Sequence, residues 1–181
     1  MPDWLISAWN VGTARYTLLR WRAMMFSRKN SEQAKAPQLF NQDTFYRAFL
    51  HDVRICKHQL IVESPFITSK RVRIFLPIFR QLRERGIQII VNTRNPQEHE
   101  GMYQTQAAQA VALFQAIDIV VLYTTGHHRK IAIIDNRVVW MGSLNILSFS
   151  DSCEIMTRTV SPLEAEELVD FIGIHQYLQD K

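Results

Sequence analysis

Beyond residue 37 the order of apolar and polar positions predicts a chain that alternates helix and strand. Asn41 to Lys57 repeats apolar residues at helical spacing, with Asn41 as N-cap and Phe45, Phe49, Val53 and Cys56 on one face. Gln59 to Phe66 reads as a strand that stops at Pro65. Ser69 to Arg85 is a second helix, with Val72, Phe75, Leu76, Phe79 and Leu82 inward and Gly86 closing its end. Lys70, Arg71, Arg73, Arg80, Arg83 and Arg85 fall on its other side, a run most simply read as a solvated face. Ile87 to Asn92 is an apolar strand, followed by a loop from Thr93 to Gly101, a helix from Met102 to Ala116 and a strand from Ile117 to Tyr123. Two short apolar runs, Lys130–Ile134 and Val138–Met141, flank Asp135-Asn136-Arg137 and predict a β-hairpin. A strand near Glu154–Thr159 follows, then a helix from Pro162 to about Leu178 whose first turns carry Glu164, Glu166 and Glu167. Strands separated by helices imply an α/β fold: a mixed β-sheet with parallel portions and helices on both faces.

The first 36 residues are different in character and form a separate segment before a domain spanning 37–181. Trp4, Leu5, Trp9, Tyr16, Leu19 and Phe26 fall on one helical stripe, with Arg15, Arg22 and Arg28 mostly away from it. Residues 3–28 thus read as a basic amphipathic helix. It either contacts an anionic membrane or a partner, or packs on the domain or its dimer mate, or is the remnant of a longer ancestral protein. No apolar run reaches the roughly 20 residues of a membrane span, and the pattern is not that of a signal peptide. Residues 29–38, ending near Pro37, read as a linker.

Length and composition narrow the classes. The 181 residues suit one main domain able to bury a core, and 47% hydrophobic with 21% charged residues is ordinary for a globular protein. Cys56 and Cys153 have no metal-ligand spacing, which argues against a zinc site or structural disulfide and for a reducing compartment, that is, a cytoplasmic protein, peripheral at a membrane if residues 3–28 bind one. The net charge is +4, and all of it lies in residues 1–35, where six basic residues face two acidic ones. Residues 36–181 are neutral overall, so basicity alone gives the domain no nucleic-acid signature, and no aromatic–basic interleaving along the chain marks a stacking platform.

The chemistry concentrates at Gly126–Glu154. Alternation of side chains puts His128 and Lys130 on one face and His127 and Arg129 on the other. If Asn136-Arg137 forms a two-residue turn, Asp135 pairs with Val138, Lys130 with Ser143 and His128 with Asn145. Opposed residues lie about 4.5–5.5 Å apart, which would gather an imidazole, an ammonium, a hydroxyl and an amide into an anion site. Asp135 has the opposite parity to Lys130, and an Asp there usually bonds backbone N–H groups of the turn, a structural role. His51 and His58 lie outside the cluster.

The series His128-x-Lys130, Asp135, Gly142-Ser143-x-Asn145 resembles the HKD motif of the phospholipase D superfamily. Ser152-Cys153-Glu154 stands where that family carries Asn-x-Glu, with the Asn replaced. The resemblance implies that residues from about 38 to 181 form one phospholipase D-like half-domain that dimerises. It implies a histidine, His128, that attacks phosphorus to give a phosphohistidine, while a second histidine serves as acid and then base. Lys130 and Asn145, with Ser143, would hold the non-bridging oxygens, and Glu154 would bond the far ring nitrogen of His128. It implies no metal and no cofactor. With only one motif present, the second histidine would come from the His128 of another copy.

The expected function is therefore a metal-independent phosphodiesterase. Nucleic acid is the first substrate candidate, with Lys70, Arg71, Arg73, Arg94 and Arg129 available to follow a phosphate backbone. Phospholipid head groups are the alternative. The non-enzymatic reading is a dimeric module that binds phosphate or nucleic acid.

Overall fold

A computed structural model describes residues 36–148 and 151–178; the helix read over 3–28 lies outside them, as does the nature of the boundary that precedes the domain. Seven strands make one sheet in the order β1-β7-β6-β5-β2-β3-β4: β1 Gln38–Asn41, β2 Gln59–Glu63, β3 Gln88–Thr93, β4 Val120–Tyr123, β5 Ile131–Ile134, β6 Val138–Gly142 and β7 Ile155–Val160. The helices are α1 Gln42–Arg54, α2 Ser69–Glu84, α3 Gly101–Gln115 and α4 Pro162–Ile172. β2, β3 and β4 run parallel, and every other pairing is antiparallel. The sheet is thus mixed, as the pattern predicts.

Both faces are covered, and the alternation along the strands shows how. Leu60 and Val62 of β2 join Ile89, Val91, Ala132, Ile134 and Trp140 in a core with α1, α2 and α3. Ile61 joins Ile90, Ile133 and Val139 against Ala165 and Val169 of α4. A strand buried on both faces reads as a continuous apolar run, which is what Leu60-Ile61-Val62 is between the buried polar Gln59 and Glu63.

Local signals place the boundaries. Asn41 caps α1 in a reciprocal box with Thr44: its side-chain oxygen accepts the Thr44 N–H at 3.0 Å, and the Thr44 hydroxyl accepts the Asn41 N–H at 3.1 Å. The same Asn41 ends β1, a strand that the polar-flanked QLFN pattern does not announce and that exists because β7 offers it an edge. On α2 the buried row is Val72, Phe75, Ile78, Phe79 and Leu82; Leu76 is only half-buried, and Pro77 sits on the exposed side of the helix. The last helix stops at Ile172, earlier than its sequence suggests, because Gly173 takes a left-handed φ of 71°.

The hairpin register differs from expectation by one residue. Ile134 pairs with Val138, Ile131 with Met141, and the Gly142 N–H donates to the Lys130 carbonyl at 3.2 Å. Lys130 therefore stands opposite Gly142, not Ser143. The reason lies in the turn: Asp135 and Asn136 are the two residues with positive φ, 53° and 49°, and the Arg137 N–H closes on the Ile134 carbonyl at 3.0 Å. Asp and Asn tolerate that left-handed conformation, as the favoured hairpin turns require, whereas Arg does not.

Candidate active site

Three elements converge on one open depression of about 340 Å³, lined by His128, Lys130, Gly142, Ser143 and Asn145. His128 and Lys130 come from the stretch leading into β5, Gly142 from the end of β6, and Ser143 and Asn145 from the turn after it. The register shift does not scatter them. Regular pairing ends at Gly142, and from Ser143 onward the chain follows β7, with the Ser143 N–H donating to the Ile155 carbonyl at 2.9 Å. A Cβ on Gly142 would lie 2.1 Å from the Ile155 oxygen and 2.8 Å from the Met156 Cα. Glycine is thus what lets β7 close against β6 and bring Ser143 beside Glu154.

His128 is exposed and Lys130 buried. The Lys130 ammonium donates to the His128 carbonyl at 2.7 Å and stands 3.1 Å from Nδ1 and 3.4 Å from Nε2 of the ring. Burial pulls the Lys130 pKa below its ordinary value; Glu154 works against that and Arg94 adds to it. The side-chain oxygen of Asn145 is buried without a hydrogen-bond partner. An exposed imidazole beside a buried ammonium is an arrangement that favours an anionic ligand, whereas the Asn145 oxygen, an acceptor, is matched by a donor rather than by an anion.

Glu154 is placed differently from the reading above. Its carboxylate accepts from the hydroxyls of Ser143 and, at 2.6 Å, Ser152, and not from the His128 ring. Ser152, which stands where the family carries Asn, thereby fixes this carboxylate. Asp135 is structural, at the opposite end of β5 from Lys130. It gathers backbone N–H groups, though those of the α1–β2 connection rather than of its own turn: Lys57 at 3.0 Å, His58 at 2.7 Å and Gln59 at 3.2 Å. Burial pushes its pKa up, but those donors and the Cys56 thiol more than offset this and hold it below the ordinary value.

Several supporting residues escaped the sequence reading because their partners are distant in the chain. The Tyr46 hydroxyl of α1 meets the Ile146 and Ser148 carbonyls at 3.2 and 3.3 Å, clamping the turn that carries Asn145. The Arg71 guanidinium stacks 3.3 Å from the centre of the Tyr46 ring, and burial pushes that phenol up to about 12. Behind the site, fully buried Glu63 accepts from Arg129 and, at 2.8 Å, from Asn92. His127 points to this opposite face, buried, with Nε2 3.9 Å from Glu63 and burial keeping its pKa low. Arg129 is therefore engaged with a carboxylate, not free to follow a phosphate backbone. Among the described residues no cluster of His, Cys, Asp and Glu has the makings of a metal site, and no helix is long and apolar enough to cross a membrane.

A mixed sheet with helices on both faces and an open depression at the end of its central hairpin defines an α/β domain. The family follows from sequence. Residues 49–172 match the family model described as "Cardiolipin synthase, PLD-like domain", so the chain belongs to the phospholipase D superfamily. No curated protein sequence matches it. Among solved structures it is similar to Nuc, a phospholipase D family member from Salmonella typhimurium, at 15% identity over 75% of this chain and 90% of that one, with a TM-score of 0.62. NucT from Helicobacter pylori aligns at 16% identity over 75% of this chain and 91% of the other, with a TM-score of 0.53. The phosphatidylserine synthase of Haemophilus influenzae aligns at 14% identity and a TM-score of 0.54; 73% of this chain covers 37% of it. At these identities the likeness is one of fold.

Proposed function

We propose that the protein is a metal-independent phosphodiesterase whose active site is completed by a second copy, and that its substrate is nucleic acid. The observation that carries this reading is the shared depression of His128, Lys130, Ser143 and Asn145. His128 attacks phosphorus through a ring nitrogen, and the bond to the leaving oxygen breaks as that oxygen takes a proton from the partner's His128. The partner's imidazole, now neutral, removes a proton from water. The resulting hydroxide breaks the P–N bond, releasing a phosphomonoester and free His128. Lys130 and Asn145 stabilise the non-bridging oxygens as charge builds on them, and Glu154 fixes Ser143 at the rim.

Nucleic acid is set ahead of lipid because the chain carries a single HKD-like motif, His128-x-Lys130 to Asn145, as the short nuclease-like members that it resembles do. The family model's own description supports phospholipid head groups as a second reading. The test is turnover in excess EDTA of labelled single- and double-stranded nucleic acid and of phosphatidylcholine vesicles, by wild type and by His128→Ala. Cleavage of nucleic acid that His128→Ala loses by about 10⁴-fold or more is the expected result. Absence of any turnover, or turnover that EDTA removes, refutes the mechanism. A strict monomer under assay conditions refutes the shared site.

A further inference from the structure

We propose that Phe66, Tyr103 and Arg94 form a base-stacking platform for single-stranded nucleic acid beside the catalytic depression. The proposal names the substrate class of the site and so rests on the phosphodiesterase reading. No stretch of sequence announces such a platform; the fold assembles it from two loops and the start of a helix. Phe66 follows β2, Arg94 follows β3, and Tyr103 lies in the first turn of α3. β2 and β3 are parallel, and β5 runs against β2 with Glu63 opposite Ile131. The exits of β2 and β3 therefore lie at the same end of the sheet as the segment that carries His128 and Lys130.

Arg94 joins the two places. Its Nε donates to the His127 carbonyl at 2.7 Å, while its guanidinium carbon lies 5.2 Å from the centre of the Phe66 ring. One planar cation thus spans from an aromatic ring to the residue before His128. Its charge also bears on Lys130 and on His99. Phe66 in turn packs on His99, 5.0 Å between ring centres at 39°, and meets Tyr103 edge-on at 6.2 Å and 70°. His99 is buried and its Nε2 has no hydrogen-bond partner. The outer surface belongs to Tyr103, 53% exposed, and Met102, 74% exposed.

A nucleobase fits this surface better than a lipid does. Base stacking needs an accessible aromatic face with a cation at hand for the phosphate between the base and the reacting centre, and Tyr103 and Arg94 offer both. A membrane anchor needs a larger apolar area or a second signal, and one ring with one methionine is a small area. Glu98 and Glu100 border the patch, but the Glu98 carboxylate accepts the Gly126 N–H at 3.1 Å, which ties the loop before His128 to the same cluster. Recognition by stacking carries little base preference, so the platform accepts any sequence of single strand.

The experiment compares binding of a fluorescein-labelled 12-nucleotide oligothymidylate with that of an abasic chain of equal length, by fluorescence anisotropy. All proteins carry His128→Ala, so binding is read without turnover and independently of whether the wild type cleaves anything. The expected result is roughly tenfold tighter binding of the base-bearing strand. Tyr103→Ala and the volume-sparing Phe66→Leu each remove most of that difference while leaving affinity for the abasic strand unchanged. Equal affinity for the two strands, or a difference that survives both substitutions, overturns the platform. So does Tyr103-dependent binding to phosphatidylglycerol vesicles without oligonucleotide binding, which would assign the patch to lipid. Loss of wild-type turnover alone overturns the phosphodiesterase reading and leaves this result to be judged by binding.

Discussion

Gly142→Ala adds one methyl group where β6 faces the backbone of β7. The new Cβ would stand 2.1 Å from the Ile155 oxygen, 2.7 Å from the Met156 Sδ and 2.8 Å from the Met156 Cα. The thioether can swing aside, but the other two atoms are backbone. Reaching even 3.0 Å requires the Ile155 carbonyl to move by about 1 Å, against an ordinary carbon contact of about 3.5 Å. That displacement breaks the 2.9 Å bond from the Ser143 N–H to the Ile155 oxygen and the 3.1 Å bond from the Ile155 N–H to Ser143 Oγ. Two hydrogen bonds at about 1 kcal/mol each, with overpacking strain of about 1–3 kcal/mol, give a loss near 4 kcal/mol. For a chain of this size that lowers Tm by about 8–16 °C. Urea titration and a thermal scan read the stability; turnover reads the displacement of Ser143 and Glu154. A variant with unchanged denaturation midpoint and unchanged activity would show that the β6–β7 approach is not the reason for glycine here.

Asp135→Ala, which removes the acceptor for three backbone donors, costs about 3 kcal/mol in urea unfolding, and Asp135→Asn costs less because it keeps one acceptor and the tolerance for positive φ. The native Asp135 pKa is depressed, so its contribution is whole above the unfolded value near 4 and is lost as pH falls through the lower native value; the mutant and wild-type stability curves should converge only in that acid range. Cys56 is buried, donates to the Gln59 carbonyl at 3.2 Å, and is pushed up to about 12 by burial first and Asp135 second, while Cys153 is exposed. A thiol reagent at pH 8 should therefore label one cysteine per folded chain and both in denaturant; two fast thiols in the folded protein would contradict the packing at Cys56.

The parts of the fold legible in the sequence are those fixed by local pattern. The helix cap at Asn41, the doubly buried β2 and the apolar row of α2 each follow from residues within a turn or two of one another. The gathering of His128, Lys130, Ser143 and Asn145 was legible too, through a hairpin whose exact register was not. That register depended on which two residues would take a left-handed backbone, and Asp135-Asn136 outcompeted Asn136-Arg137. What was hidden depends on partners far away in sequence. Glu154 turns to Ser143 and Ser152, Asp135 reaches back to Lys57–Gln59, and β1 exists only as the neighbour of β7. Tyr46 reaches 100 positions along the chain to the carbonyl of Ile146, a pairing no local period encodes.

The doubled tetrad His127-His128-Arg129-Lys130 makes strand register a carrier of chemical information. The two faces of this segment have nearly the same alphabet, one imidazole and one cation each, so a slip of a single residue would bring His127 and Arg129 to the depression and turn His128 and Lys130 toward Glu63. Composition cannot tell the two states apart; only anchoring can. The structure supplies an anchor at each end, Asp135 on the Lys57–Gln59 N–H groups and Arg94 on the His127 carbonyl, and the Glu63 carboxylate selects Arg129 for the face opposite the depression. These contacts work as a proofreading device for the hairpin: they make the misread frame leave a buried carboxylate without its guanidinium, so the frame that exposes His128 is the one that folds.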